Sequence, residues 1–334
     1  MKKWVEFFER YGVLIAFVLL FVISAAIRPD VVLKPENLKN LVNQNVSVGI
    51  IAIGMTLVII TGGIDLSVGS MLALSSALSL LALRKAVGDH GSEAAASLIA
   101  FLVCVGSAAA MGAFNGLMVA YARIVPFIAT LVGLVGFRSL CSGIAQGGEI
   151  RSASDTVFPA LGNGGLPVPF LHIDGGGPLV ITYGMLLFVG CAFAAGFVLN
   201  WTKLGRHLIA TGANERAAVY SAVPTKRVKF IAYALMGVFT GLAAFAQVTR
   251  MNSVASGTMG QYYELDAIAA VVIGGTSLSG GKGRIWATVA GVLMLGLISN
   301  ILTINSDKIS VYYQGAVKGG IILAAVLLQR SRSE

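Results

Sequence analysis

The feature that most constrains this chain is a succession of ten apolar runs, 14 to 29 residues long, separated by short polar breaks. They are Tyr11–Ile27, Val46–Thr61, Leu66–Leu83, Ala94–Ala122, Pro126–Ala145, Leu179–Asn200, Phe230–Gln247, Leu265–Leu278, Ile285–Thr303 and Ile309–Leu328. About 20 apolar residues let an α-helix cross a bilayer, and in lipid the backbone must satisfy its own hydrogen bonds. The expected architecture is therefore an all-α polytopic membrane protein: about ten transmembrane helices, with residues 1–334 forming one domain. Composition agrees, since only 12% of residues are charged, against roughly 25% in soluble domains. The 41 glycines suit a bundle whose helices approach closely in lipid.

The net charge of +9 is a topology signal. Aromatic-interleaved basic patches, the mark of nucleic-acid binding, are missing, and the cations cluster in short breaks between runs. With both ends of the chain inside, fourteen Lys and Arg side chains fall on the cytoplasmic side and seven outside, which is the bias that sets orientation. Tyr11–Ile27 follows three cations and ends near Ser24, Ala25 and Ala26, as a secretory signal does. Its length and the bundle after it favour an uncleaved first span. Cys104, Cys141 and Cys191 lie in apolar runs without paired spacing, and the three histidines are far apart, so neither disulfides nor a metal site is expected.

The longest strongly basic interruption is Trp201–Lys229, with six cations and one acid, Glu215. Within it Gly212 breaks the chain, Asn214 is a good N-cap, and Glu215 suits the positive end of a helix dipole. Pro224 restricts Val223, so a helix of about two turns, Glu215–Ala222, is expected. Such a helix is too short to be stable alone and implies a docking surface, with small residues, Ala217, Ala218, Ser221 and Ala222, where a partner would touch.

Two turns repeat: Gly62–Gly69 (GGIDLSVG) and Gly274–Gly281 (GGTSLSGG) share GGxxLSxG without a gap. Repeated halves with glycine-interrupted segments signal a transporter whose broken helices near the midplane offer backbone groups to a solute. Six runs between the turns make the repeat parallel; it becomes inverted if one of them is re-entrant.

A transporter must be driven, and the chain carries no visible engine. Gly275–Gly283 fails GxxxxGK[ST], because Thr276 stands where the first Gly belongs and Gly283 where Ser or Thr would hold Mg²⁺. Buried carboxylates for ion coupling are nearly absent. Asp65 sits at a turn, and Glu264 and Asp266 open the eighth run. No catalytic grouping is brought together. The engine is then expected to be another protein.

Residues 54–70 (GMTLVIITGGIDLSVGS) and 263–283 (YELDAIAAVVIGGTSLSGGKG) closely resemble the permease subunits of ribose-type monosaccharide ABC importers, a likeness extending from about Asn37 to Leu327. The resemblance implies a half-transporter paired with a second permease copy, identical or related. Monosaccharide would arrive from a periplasmic or lipoprotein binding protein, and an ABC ATP-binding subunit would drive import. It also implies location in the bacterial inner membrane. ATP and Mg²⁺ would bind that partner, leaving this chain without a cofactor. Gly212, Asn214, Glu215, Arg216, Ala217 and Ala218 match the family's coupling helix, which contacts the ATPase. The chain departs from the family where Ser-Gly-Ile is replaced by Ser221-Ala222-Val223, since Ala adopts positive φ less readily than Gly. Polar residues inside runs, Asn45, Asp65, Ser67, Asn115, Gln247 and Asn300, are candidates for the solute path, each equally able to satisfy a neighbouring backbone group. Tyr262, Tyr263, Tyr312 and Tyr313 read as an interfacial belt. The rival readings are an ion-coupled secondary sugar carrier and a passive channel.

Overall fold

The computed structural model describes residues 2–90, 92–172 and 177–305, with positions 313, 315–317, 319–320 and 323 beyond them. Apart from those few positions, the expected tenth span, Ile309–Leu328, lies outside the described residues. Helices α1 (Lys2–Ile27), α2 (Pro29–Val32), α3 (Pro35–Ile60), α4 (Val68–His90), α5 (Glu93–Ala120) and α6 (Pro126–Ile144) form the first half. Strand β1 (Glu149–Arg151), helix α7 (Val157–Asn163) and strands β2 (Gly165–His172) and β3 (Pro178–Thr182) fill the long connection. Then come α8 (Tyr183–Trp201), α9 (Lys203–Ala213), α10 (Glu215–Tyr220), α11 (Thr225–Met251), β4 (Ser253–Ala255), α12 (Tyr263–Ile273) and α13 (Ile285–Ile304). The protein is an all-α polytopic membrane protein. Seven helices among the described residues are long and apolar enough to cross a membrane.

Several helices outrun their apolar runs. Polar ends extend α3 back to Pro35 and α11 back to Thr225, because helical hydrogen bonding continues past the hydrocarbon, and Pro35 suits the first helical turn, where its missing N–H costs nothing. Helix α12 is shorter than expected: Leu265–Leu278 was to be a span, yet α12 has 11 residues, about 16 Å.

The centre of the bundle is α3, buried on every side from Val46 to Ile60, as a helix apolar all round must be. Helices α5 and α11 pack through small residues. Gly112 lies against the Tyr233 carbonyl and Gly237, and Gly241 against Val105 and Ala108, at distances that leave no space for a side chain. This is the close packing that makes glycine useful in lipid. The outer faces of α6 and α8 expose Val132, Val135, Phe193 and Phe197.

At one end of the bundle β1 pairs antiparallel with β4, and β2 with β3. There the Glu93 carboxylate accepts hydrogen bonds from Ser154 Oγ (2.5 Å), Thr156 Oγ1 (2.7 Å) and the Val157 N–H (3.0 Å), fixing the start of α7. At the opposite end lie α9 and α10.

The chain between β4 and α12 does not stay at the surface. Arg138, on α6, donates from Nη1 to the carbonyls of Ser256 (3.0 Å) and Met259 (2.8 Å). Gly260 packs directly on Gly69 at the start of α4, and the neighbouring Ser70 Oγ donates to the Leu134 carbonyl (2.7 Å). Helix α6 has 19 residues, about 28 Å, one hydrocarbon thickness, and Leu134 and Arg138 lie around its middle. The segment thus descends from Ser256, bonded to the Gly148 carbonyl beside the β1–β4 pair, to Gly260 at mid-height.

Candidate coupling surface and buried polar cluster

Helix α10 forms as its residues dictate. Asn214 Oδ1 accepts the Ala217 N–H at 3.0 Å, satisfying a first-turn donor. Glu215 occupies the first turn and pairs with Lys229 of α11 at 2.7 Å, tying α10 to the base of the bundle. The helix ends at Tyr220, two residues short of the expected Ala222. The exit is a Schellman turn: the Ala222 N–H bonds the Val219 carbonyl and the Val223 N–H bonds the Ala218 carbonyl, both at 3.0 Å. Its C′ residue, Ala222, has φ +58°, a conformation that glycine adopts without cost.

The small residues do not all face outward. Ala218 turns into the protein, while Glu215, Arg216 and Ala217 are exposed, as are the larger Val219 and Tyr220, the latter 92% accessible. Val219 and Tyr220 escape a reading that looks for small contact residues, because which face of α10 is buried depends on where the helix rests. A groove of about 670 Å³ separates α10 from the α5–α6 corner, floored by Val119, Ile124 and Val125 and rimmed by Arg123, Arg216 and Lys226.

Behind α10 three turns meet. Helix α3 ends in a Schellman turn, with the Gly62 N–H on Ile59 and the Gly63 N–H on Val58. Helix α12 ends in the same turn, with the Gly275 N–H on Val272 and the Thr276 N–H on Val271. The C′ glycines are therefore Gly62 (φ +82°) and Gly275 (φ +81°). This corrects the repeat by one residue, because the sequence match sets Gly62 against Gly274. Both helices run toward this junction, the parallel of the two alternatives. The Gly281 N–H donates to the Ile60 carbonyl at 2.9 Å. Gly212 presses on that carbonyl and on Gly281, Gly280 lies beside Gly212 and Gly62, and Gly281 lies against Ala213. The glycine turns thus sit at the α9–α10 end of the bundle, away from the midplane where sequence placed them. The connections they begin reach mid-height only at Ser67–Gly69, and the other mid-height irregular segment is the run before α12.

Of the candidate path residues, Asp65, Ser67 and Asn115 come together. All three are fully buried. Asp65 Oδ1 accepts the Ser67 N–H (2.9 Å) and Oγ–H (2.6 Å), and Asn115 Nδ2 donates to Ser67 Oγ (2.8 Å) and Asp65 Oδ2 (3.4 Å). Ser67 in turn opens α4, its carbonyl accepting the Met71 N–H. One residue before the aspartate, the Ile64 carbonyl accepts Tyr233 Oη at 3.1 Å. The cluster pins the α3–α4 turn against α5 and α11. The others are dispersed: Asn45 Nδ2 donates to Leu41, Gln247 accepts from Ser47 Oγ, and Asn300 exchanges amide bonds with Asn37. Among the described residues no group of three His, Cys, Asp or Glu side chains could hold a metal.

Residues 37–326 match the family described as branched-chain amino acid transport system / permease component. The chain is 40% identical to the ribose import permease protein RbsC of Bacillus subtilis (strain 168), over 97% of this chain and 94% of the relative. It is 39% identical to the RbsC protein of Escherichia coli (strain K12), covering 96% and 93%. The D-allose transport system permease protein AlsC of that strain is 32% identical, over 97% and 92%. No solved structure matches.

Proposed function

Because the chain belongs to the family described as branched-chain amino acid transport system / permease component, we propose that it is the membrane-spanning permease of an ATP-driven importer for a monosaccharide of the ribose class. The relatives named for ribose and allose import support the substrate class. In this reading a second permease copy completes the transmembrane unit, an extracytoplasmic binding protein delivers the sugar, and a cytoplasmic ABC ATP-binding subunit supplies the work. The α9–α10 end faces the cytoplasm, as the concentration of Lys and Arg there favours, and both termini lie on that side.

The observation that carries the coupling role is α10 itself. It is a helix of six residues, held by an N-cap and an ion pair, exposing Val219 and Tyr220 and following directly on the α9 end that packs on the junction where both repeated turns end. Gly212, Asn214, Glu215, Arg216, Ala217 and Ala218 shape and hold this element, and Val219 and Tyr220 present its apolar contact. Force applied to α10 passes to α11 through the Glu215–Lys229 pair and to the end of α9, where Gly212 and Ala213 meet the Ile60 carbonyl, Gly280 and Gly281. The Asp65–Ser67–Asn115 cluster anchors the start of α4 to the same unit.

The test is Tyr220→Arg. This side chain is almost wholly in solvent, so folding and membrane insertion are unaffected, while ATPase-subunit copurification and ATP-dependent sugar uptake fall by tenfold or more. Normal uptake by this variant removes the coupling role from α10.

A further inference from the structure

The non-helical segment Ser256–Tyr262 runs from the β1–β4 end of the bundle, where Ser256 bonds Gly148, to mid-height, where Gly260 packs on Gly69. Its inner side is fixed: Ser256, Met259 and Gly260 are buried, two of their carbonyls held by Arg138 and the third residue packed on Gly69. Its outer side is not covered by the other described residues. Gly257, Thr258 and Gln261 are exposed, and Tyr262 is 61% accessible. Irregular backbone with polar side chains does not face hydrocarbon at this depth, where its polar groups would go unsatisfied; it is tolerated against protein or along water. Tyr262 also holds a left-handed backbone, φ +65°, at the N-cap of α12, and such outliers in non-glycine residues gather at functional sites.

Resting on the reading of the chain as a sugar permease, we infer that Thr258, Gln261 and Tyr262 line the aqueous solute path at mid-membrane and touch the monosaccharide as it passes. A hydroxyl, a carboxamide and a phenol on one exposed segment are the groups that hydrogen-bond and stack on a neutral polyol. Tyr262 therefore leaves the interfacial belt to which its sequence position assigned it. The exposed apolar face of α6, with Val132 and Val135, serves as the lipid-facing reference.

The experiment uses membrane vesicles containing the full transporter. Native Cys104, Cys141 and Cys191 are buried, so background labelling is low. A charged, membrane-impermeant methanethiosulfonate, which reacts with thiolate in water, is applied during ATP turnover to Thr258→Cys, Gln261→Cys and Val135→Cys. Val135 is 60% exposed at the same height on α6 and reports the lipid face. Labelling of the two loop cysteines at least tenfold faster than Val135→Cys is expected. Equal, slow labelling overturns the assignment, as does spontaneous disulfide formation between two Gln261→Cys copies without labelling, which would make the face a dry contact. For the sugar contact, Gln261→Ala lowers the rate of D-ribose uptake severalfold at unchanged ATPase copurification; full uptake overturns it. Should the wild-type vesicles import no D-ribose, the functional reading fails separately, and the labelling contrast still decides whether water reaches this segment.

Discussion

Ala222 shows how a single side chain can be at odds with the turn it occupies. Its N–H and that of Val223 complete the Schellman turn behind α10, which requires φ near +60°, and a Cβ makes that conformation costly. Replacing it with glycine removes the penalty but frees the unfolded chain, so the net gain is small: Ala222→Gly is expected to stabilise the protein by about 0.5 kcal/mol, read as a raised thermal midpoint in detergent. A lowered midpoint would mean that the left-handed backbone carries no penalty here. The need for positive φ at this position was legible only through the resemblance, which sets Ser-Gly-Ile against Ser221-Ala222-Val223; the residues themselves read as helix up to Ala222. The burial of Ala218 was not legible, since it depends on where α10 rests.

At the scale of elements, the α9–α10 loop and the two glycine turns form one object. Gly212 allows this, because its α-carbon lies against the Ile60 carbonyl and the Gly281 amide, both main-chain groups that cannot rotate aside. Gly212→Ala is expected to cost on the order of 2–3 kcal/mol, typical of an overpacked site, and to lower the yield of folded protein, measured by size-exclusion of the solubilised chain. A yield equal to wild type would show that the junction yields easily. The repeat was visible in sequence, but its structural register was not. Both turns contain adjacent glycines, and only the hydrogen bonds reveal that Gly62 and Gly275 occupy the C′ positions. The same limit hid the mid-height segment before α12. Residues 248–264 simply fall between two apolar runs, and only the grip of Arg138 and the packing of Gly260 on Gly69 show how far that stretch enters the bundle.

For the whole molecule, hydropathy fixed the class and most spans, since an apolar run of membrane length has few alternatives. It failed for α12, where 11 helical residues joined to an apolar turn imitate a span. The site was less legible: the coupling residues stand out by charge and capping, whereas the candidate path residues divide into a buried anchor and scattered structural amides. In liposomes, the purified chain alone is expected to show neither ATP hydrolysis nor sugar flux under a cation gradient, with uptake restored by adding the ATP-binding subunit, the binding protein and ATP. Flux from the chain alone would favour a carrier or a channel.

The contact between Gly281 and Ile60 gives the junction a built-in reporter. A backbone amide exchanges with deuterium only when its hydrogen bond opens, and the one on Gly281 bridges the two repeats beside Gly212. Its isotope uptake therefore measures how often the repeats part, in the unmodified protein and without any label, and it distinguishes a bundle that rocks as one body from one that separates at its base.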